Sequence, residues 1–405
     1  MHTKKNLLIF ILIITSKQLF GFDNRFFPEK PLYLTLPNKT KSFFSIYSSF
    51  GFTDHAYSTV DREVSIYDLY GTLDLGILGR SIQKATGSNP LRSYFHDKSI
   101  PFISNGSLRI QQVGLSLYYQ IIDQCGFGFN FNIKNQANWY TFTLDTLNFL
   151  HTPDIKNELE IARKDTFKEL GFEQESGNDI GINDMDLFFR LGSIWDYTLK
   201  CRRINAGIRL GTLIPMGTKQ DISRPFLTLN SNSNLPGFYS AIDCLFELKE
   251  NFKLGIFAAI SKRLKKETIS RIPLLNEPSI FGAVVDKVTI DPGYTFLFTP
   301  YFLFEHLRSG IGFGIFYSLT YHSKDSWTIP TTIDYLPETK NAIEKFSSWA
   351  SDYVGLQVLY DFNKNGYDNL KSPLIEIRWD IPTSFFVTKR VAKTHKVSLS
   401  IEYDF

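Results

Sequence analysis

Cysteine and methionine are nearly missing from this chain, with three of each in 405 residues. Cys125, Cys201 and Cys244 stand far apart, with neither zinc-ligand spacing nor a disulfide framework, and are expected as free thiols. Long apolar runs are missing too. No window approaches about 18 consecutive apolar residues, and a mean hydropathy of −0.13 excludes a bundle of membrane helices. Neither sign of charge dominates, with 44 Lys and Arg against 41 Asp and Glu. That excludes a disordered acidic tail and leaves no basic footprint for nucleic acid. No H-E-x-x-H, G-x-S-x-G or Walker sequence occurs, so no catalytic residue, cofactor or metal ligand is expected, and no enzyme. The adjacent His322 and Ser323 do not change this, because neighbours on a strand point to opposite faces.

What is plentiful is aromatic: 37 Phe and 20 Tyr bring Phe, Trp and Tyr to 15%. Such residues suit pleated, half-buried surfaces and lean towards a β-rich chain. Residues 1–21 place Lys4 and Lys5 before an apolar run from Leu7 to Ile14, then small or polar residues around Ser16 and Gly21. This is the order of a secretory signal peptide, so the mature chain is expected to be exported and to begin near Phe22. No L-x-x-C lipobox is present.

Period-two alternation fills the remainder. At the end of the chain Val397, Leu399, Ile401, Tyr403 and Phe405 share one face, and Lys396, Ser398, Ser400, Glu402 and Asp404 share the other. Residues 127–134, 203–214 and 311–320 repeat the pattern, and further stretches centre on Ile46, Leu117, Leu187, Ile242, Ile256, Phe298, Val358 and Ile377. At about ten or more residues each, they exceed ordinary soluble strands and match a tilted crossing of a bilayer. The counter-face carries Gly, Ser, Asn, Gln and charges of both signs, which a dry sandwich core would not hold. Connections alternate in length: short at 123–125, 196–201, 249–251 and 306–309, longer at 364–371. The long ones are 54–106, 144–183, 217–236, 266–292 and 324–347, followed by 383–394. From Ser42 the tally closes at twelve strands, or at fourteen if Val64 to Leu75 adds a hairpin.

The final strand, with Val397, Leu399, Ile401, Tyr403 and a terminal Phe405, resembles the C-terminal signature of Gram-negative outer-membrane proteins. The resemblance implies an all-β, antiparallel transmembrane β-barrel over residues 42–405, with small helices in the outer loops and a periplasmic segment at 22–41. It implies the bacterial outer membrane as location, and lipid and the barrel-assembly machinery as partners, with Ile401, Tyr403 and Phe405 as the assembly signal. Porin-like passage of ions or small polar solutes is the function expected of that class. A plugged barrel serving as a surface structural or adhesive protein stays open, as does an outer-membrane hydrolase; so does a homo-oligomer.

Twelve strands ~4.8 Å apart and tilted at about 40° enclose a backbone radius of roughly 12 Å. Arg190, Arg203 and Arg209 fall on two neighbouring strands, Asp243 and Glu247 on the next wall, and Glu376, Arg378 and Asp380 on a later strand. Two readings follow. In one, a basic wall is set against an acidic one, giving a transverse field; in the other, the charges pair across strands and simply solvate the interior. Asp184 and Asp186 share a face, as a rim cation site or as ordinary solvated charge. Residues 154–170 read as an amphipathic helix stopped by Gly171. Tyr67 to Ala85 is too apolar for a solvated loop. Leu69, Leu73, Ile77 and Ile82 are therefore expected to fold into the lumen and narrow or plug it, the alternative being a helical cap on other loops. The aromatic excess reads as an outward, lipid-facing coat, with Trp139, Trp195, Trp379, Tyr294 and Tyr403 in the interfacial belts.

Overall fold

The computed structural model describes residues 24–27, 42–59, 62–145, 153–172, 176–182, 184–197, 201–216, 221–225, 235–308, 310–362 and 373–404. The expected signal peptide, the 364–371 connection and Phe405 lie outside the described residues. Where β-branched and aromatic residues alternate with small and polar ones, the backbone is extended. Twelve long strands result: β1 (Ser42–Thr53), β2 (Pro101–Ile122), β3 (Cys125–Leu144), β4 (Met185–Asp196), β5 (Arg203–Ile214), β6 (Gly237–Lys249), β7 (Phe252–Arg263), β8 (Tyr294–Arg308), β9 (Ile311–His322), β10 (Trp349–Asp361), β11 (Leu374–Thr383) and β12 (His395–Asp404). Each runs antiparallel to the next, and β1 also pairs with β12, so that Ser49 stands opposite both Gln112 and Ser398. The sheet is a closed barrel. Closure leaves no row of unpaired amides, which is the condition for strands to cross hydrocarbon. No described helix is long and apolar enough to cross a membrane. Fourteen strands are not formed, because Arg62–Ser65 pairs with His55–Thr59 in a small sheet apart from the wall.

The two faces separate as the alternation requires. On β12 Lys396 and Ser398 are each 2% exposed, whereas Val397 and Leu399 are 49% and 47% exposed. Trp139, Trp195, Trp379, Tyr294 and Tyr403 all point outward and are exposed. By the loop asymmetry of such barrels, the end with long connections is the outer one.

β2 and β3 have 22 and 20 residues, about ten more than a crossing needs, or ~30 Å of extra strand. Their faces invert on the way up. Low on β2, Gln112, Gly114 and Ser116 point inward and Val113 is exposed. Higher, the buried inward positions are Phe102, Leu108 and Ile110, and Asn105, Arg109 and Gln111 are exposed. Tyr140, Phe142 and Leu144 do the same on β3. Below, the outward face is apolar and the inward face polar; above, the outward face is polar and the inward face apolar. β2 therefore begins at Pro101, inside the segment expected as loop 54–106, and Ser176–Ile182 adds a short strand beside β3.

What packs against this raised wall is a cap of loops. Helix α1 (Leu75–Thr86) starts at Asp74, whose carboxylate accepts from the Ile77 amide at 3.0 Å, and ends at Gly87 with φ 83°. Leu69, Leu75, Leu78 and Ile82 join Leu159 and Phe167 of α2 (Pro153–Glu169), Phe281 and Ala392 in one cluster with the inner faces of β2 and β3. Each fully buried Leu or Phe there contributes ~1.5–3 kcal/mol. Polar ties join the loops: Ser81 donates to Glu277 at 2.7 Å, Arg92 pairs with Glu158 at 2.9 Å, and Arg271 donates to the Leu170 carbonyl at 2.7 Å. A third helix, α3 (Pro337–Ser347), packs Ile343 on Ile272, Val288 and Ile290 of the outer loops, with Lys84 of α1 paired to Asp334 just before it at 3.0 Å. The first loop thus lies across the outer mouth as part of this cap. Its apolar residues find their cover on the inward faces of the raised strands and on the other loops. Within it Asp68 accepts from Ser104 at 2.7 Å, and burial pushes its carboxyl up to about 6.

Candidate functional site

Large rings lie flat on glycines all round the inner wall. Phe316 is directly opposite Gly355, Tyr301 opposite Gly255, Tyr239 opposite Gly211 and Tyr47 opposite Gly114. Gly128 of β3 lies between Tyr118 and Phe188. A Cβ on any of these glycines would fall 1.5 to 2.2 Å from the nearest ring atom, so only glycine admits the ring at that place. The aromatic excess is therefore divided. Part of it coats the lipid side, and part narrows the lumen from within.

The inward charges come together as two clusters. In the first, Arg190 donates to Asp243 at 2.6 Å and to Asn205 at 2.9 Å, and Arg209 donates to the other Asp243 oxygen at 2.9 Å. The Arg209 guanidinium lies 5.3 Å from the ring centres of both Phe188 and Phe257, a desolvated cation between two π faces. In the second, Arg378 donates to Asp380 at 2.5 Å, Lys396 approaches the other Asp380 oxygen at 3.1 Å, and Phe316 lies under Arg378 at 3.7 Å. Glu376 is buried two positions along the same face. At Asp243 and Asp380 the charges pair at close range, each of these carboxylates sitting between two cations. The pairs form within one strand (Arg378 and Asp380), between adjacent strands (Arg209 and Asp243, Lys396 and Asp380) and across one intervening strand (Arg190 and Asp243). Arg203 and Glu247 belong to neither cluster; at the short-turn end Arg203 pairs with Asp196 at 2.8 Å, and Glu247 with Arg202 at 3.4 Å. Asp184 pairs with Arg263 at 2.6 Å, and Asp186 accepts from Tyr239 at 2.9 Å. Their partners are an arginine and a phenol, and among the described residues no group of three His, Cys, Asp or Glu is placed to hold a metal.

Sequence reasoning missed the start of the chain. The segment 22–41 was expected on the periplasmic side, but its described residues, 24–27, lie inside the barrel against the outer loops. Asn24 folds them into a tight turn, its side-chain oxygen accepting from the amides of Phe26 and Phe27 at 2.9 and 3.1 Å. Thr394 donates to the Phe26 carbonyl at 2.6 Å, and the Ala392 amide to the Arg25 carbonyl at 3.0 Å. Phe27 is fully buried, with the amines of Lys134 and Lys396 5.6 and 5.3 Å from its ring centre. Two adjacent phenylalanines in a polar stretch were the signal; they are too few to carry a period. Between Asn24 and the wall of β8 to β12 lies a small, water-sized cavity, lined in part by Trp349, Tyr353, Arg378, Asp380 and Lys396.

His322 is held between Thr295 at 2.7 Å and Asp325 at 3.0 Å, while the Ser323 hydroxyl accepts from the Tyr294 amide at 2.8 Å. The two side chains diverge, and each ties down a strand end. Cys125, Cys201 and Cys244 are free thiols.

No protein-family model and no curated protein sequence matches the chain. Among solved structures, an outer membrane channel from Pseudomonas putida is 11% identical, over 93% of this chain and 99% of its own, with a TM-score of 0.49. A FadL homologue from Pseudomonas aeruginosa is 12% identical over 96% and 100%, with a TM-score of 0.34. The translocator domain of the autotransporter NalP from Neisseria meningitidis is 8% identical over 92% and 91%, also at 0.34. Likenesses this loose lend the chain neither a solute nor a partner.

Proposed function

We propose that this bacterial outer-membrane β-barrel is a narrow channel for ions or small polar solutes, with a preference for anions. One observation carries the reading. Inside a closed wall, the lower and middle inward positions are hydroxyls, amides and charges, among them Gln112, Ser116, Asn132, Gln357, Ser398 and Ser400. These groups are only 2 to 3% exposed, and a barrel serving only as a staple in the membrane would be more stable with apolar side chains there, since each buried polar group is costly unless a partner or water answers it. Asp243 is outnumbered two to one by Arg190 and Arg209, whereas Glu376 and Asp380 together balance Arg378 and Lys396; the surplus at the first cluster favours anions in a confined, low-dielectric passage. The purified barrel in a planar lipid bilayer is expected to show small, steady conductance with a reversal potential on the anion side. A heat-modifiable barrel that stays electrically silent would end this reading. It would favour the second one, a capped surface protein, for which the loop cluster over the mouth is the supporting feature. The barrel-assembly machinery is the proposed reader of Ile401 and Tyr403, which point outward on β12, together with Phe405.

A further inference from the structure

Between β11 and β12 the chain leaves the wall and returns to it. Thr383 stands opposite Asp352 of β10, and Lys389 opposite Ala350, so β10 advances two residues while the facing chain advances six. The surplus, Ser384 to Thr388, is pushed out over the lipid side. Asp352 shares the outward face of β10 with Val354 and Val358, yet it is 1% exposed, because this excursion folds over it. Its carboxylate accepts from the Phe386 and Val387 amides and the Thr388 hydroxyl at 3.0 Å each, and from the Tyr317 hydroxyl of β9 at 2.6 Å. A bare carboxylate on that face would be costly. Answered four times, it holds the excursion in one shape.

What the excursion displays is apolar. Phe385 and Phe386 are 64% and 70% exposed, Val387 is exposed beside them, and the Phe386 ring meets Tyr317 edge-on at 5.9 Å. Asp352 is ~10 Å below the top of β10, so these side chains continue the lipid-facing wall at its outer edge. Next to them Lys389 lies 5.5 Å from the ring centre of the outward-facing Tyr321, and no carboxylate pairs with it among the described residues. Arg390 donates to the Lys345 and Ser348 carbonyls at the end of α3, and Lys345 itself is exposed and without a carboxylate among the described residues. The adjacent Glu344 is taken by the Trp327 amide and by Lys340. Even with Asp352 set against Lys345, Lys389 and Arg390, positive charge is in excess at this rim.

We propose that the excursion is a docking site for a phosphate-bearing lipid of the outer leaflet, its acyl chains lying along Phe385, Phe386 and Val387 and its phosphate on Lys389. Continuity with the lipid-facing wall says what covers the rings, and the unpaired cations beside them call for an anionic head. Lys389 lays its apolar stem near Tyr321 and holds its ammonium at headgroup level. The site stands whether or not the lumen conducts.

Diphosphoryl lipid A is the probe, added to the folded full-length barrel in neutral detergent, with lipid A stripped of both phosphates as its uncharged counterpart. Native mass spectrometry counts the lipids retained and the barrels per particle. One retained diphosphoryl lipid per barrel is expected, at least about tenfold in preference to the stripped form. Lys389→Gln is expected to weaken retention about fivefold, and Phe385→Ser with Phe386→Ser at least about tenfold. Lys249→Gln, at the short-turn rim, is expected to change nothing. Should the serine pair lose the heat-modifiable shift that marks a folded barrel, Lys389→Gln and the stripped lipid decide instead. Equal retention of the stripped lipid, or unchanged retention by folded Lys389→Gln, would overturn the proposal. A dimer of barrels that the serine pair separates would overturn it too, by giving the patch to a second copy of the chain.

Discussion

Replacing Gly355 by alanine is the sharpest test of how the lumen is packed. The added Cβ would lie 1.5 Å from Cε2 and 2.2 Å from Cζ of Phe316. Ordinary carbon contacts are ~3.5–4 Å, so the ring has to retreat by about 2 Å. It has little room, because Phe316 is 2% exposed and its face is in contact with the Arg378 guanidinium at 3.7 Å. Forcing one methyl into such a place costs about 1–3 kcal/mol, and loosening a desolvated cation–π contact adds up to ~2 kcal/mol. Gly355→Ala is therefore expected to destabilise the barrel by about 2–4 kcal/mol. The assay is urea unfolding in micelles, followed by the mobility shift of the folded barrel. Gly314→Ala on β9 is the comparison: its Cβ would meet Leu303 Cδ2 at 2.9 Å and Gln357 Oε1 at 3.1 Å, both ends of flexible chains. Under about 1 kcal/mol is expected there. Removing the ring should relieve the clash, so Gly355→Ala combined with Phe316→Ala is expected to cost at least ~1 kcal/mol less than the separate losses together. Wild-type stability for Gly355→Ala, or strict additivity in the pair, would refute the claim that the glycine exists to admit the ring.

Asp243→Asn leaves Arg190 and Arg209 without their shared anion; a loss of about 3–5 kcal/mol is expected in the same unfolding assay, with the reversal potential moving further to the anion side. Phe27→Ala empties a fully buried position beside Lys134 and Lys396, and single-channel conductance is expected to rise; an unchanged value would mean that the N-terminal turn does not limit flow. Asp68 carries a proton more readily in the folded cap than in an opened one, because burial raises its pKa from 3.8 to about 6. The stabilisation is full below the unfolded value and is lost as pH rises through the folded one. Protection of the cap amides, the exchange rate relative to the intrinsic rate at each pH, is thus expected to fall between pH 4 and 7, and Asp68→Asn to abolish that fall; an equal fall in the variant would discount Asp68.

The wall was legible because lipid on one side and water on the other impose a period of two on every crossing. That pressure is why Ser42, the short turns and the twelve strands could be read from residue order alone. It lapses where the solvents change places. On β2 the apolar phase moves from Val113 and Leu115 outside to Leu108 and Ile110 inside, and a search for one continuous phase ends the strand several residues too soon. The inward charges were found, but their partners were not, since pairing depends on register: Arg190 and Asp243 are 53 residues apart and meet across an intervening strand. The glycines opposite Tyr301 and Phe316 looked like wet filler for the same reason. The turn at Asn24 depends on contacts with Thr394, far along the chain.

β12, made last, closes the sheet against β1. It begins right after Thr394, and with Ala392 and Lys396 that residue holds the first described turn of the chain. The stretch that seals the wall is therefore also the stretch that seats the stopper. A chain caught before β12 docks is an open gutter with no place for Phe26 and Phe27, not a finished pore awaiting its plug. Sealing and stoppering draw on the same few residues: the segment that pairs with β1 also holds Arg25 and Phe26 through Ala392 and Thr394.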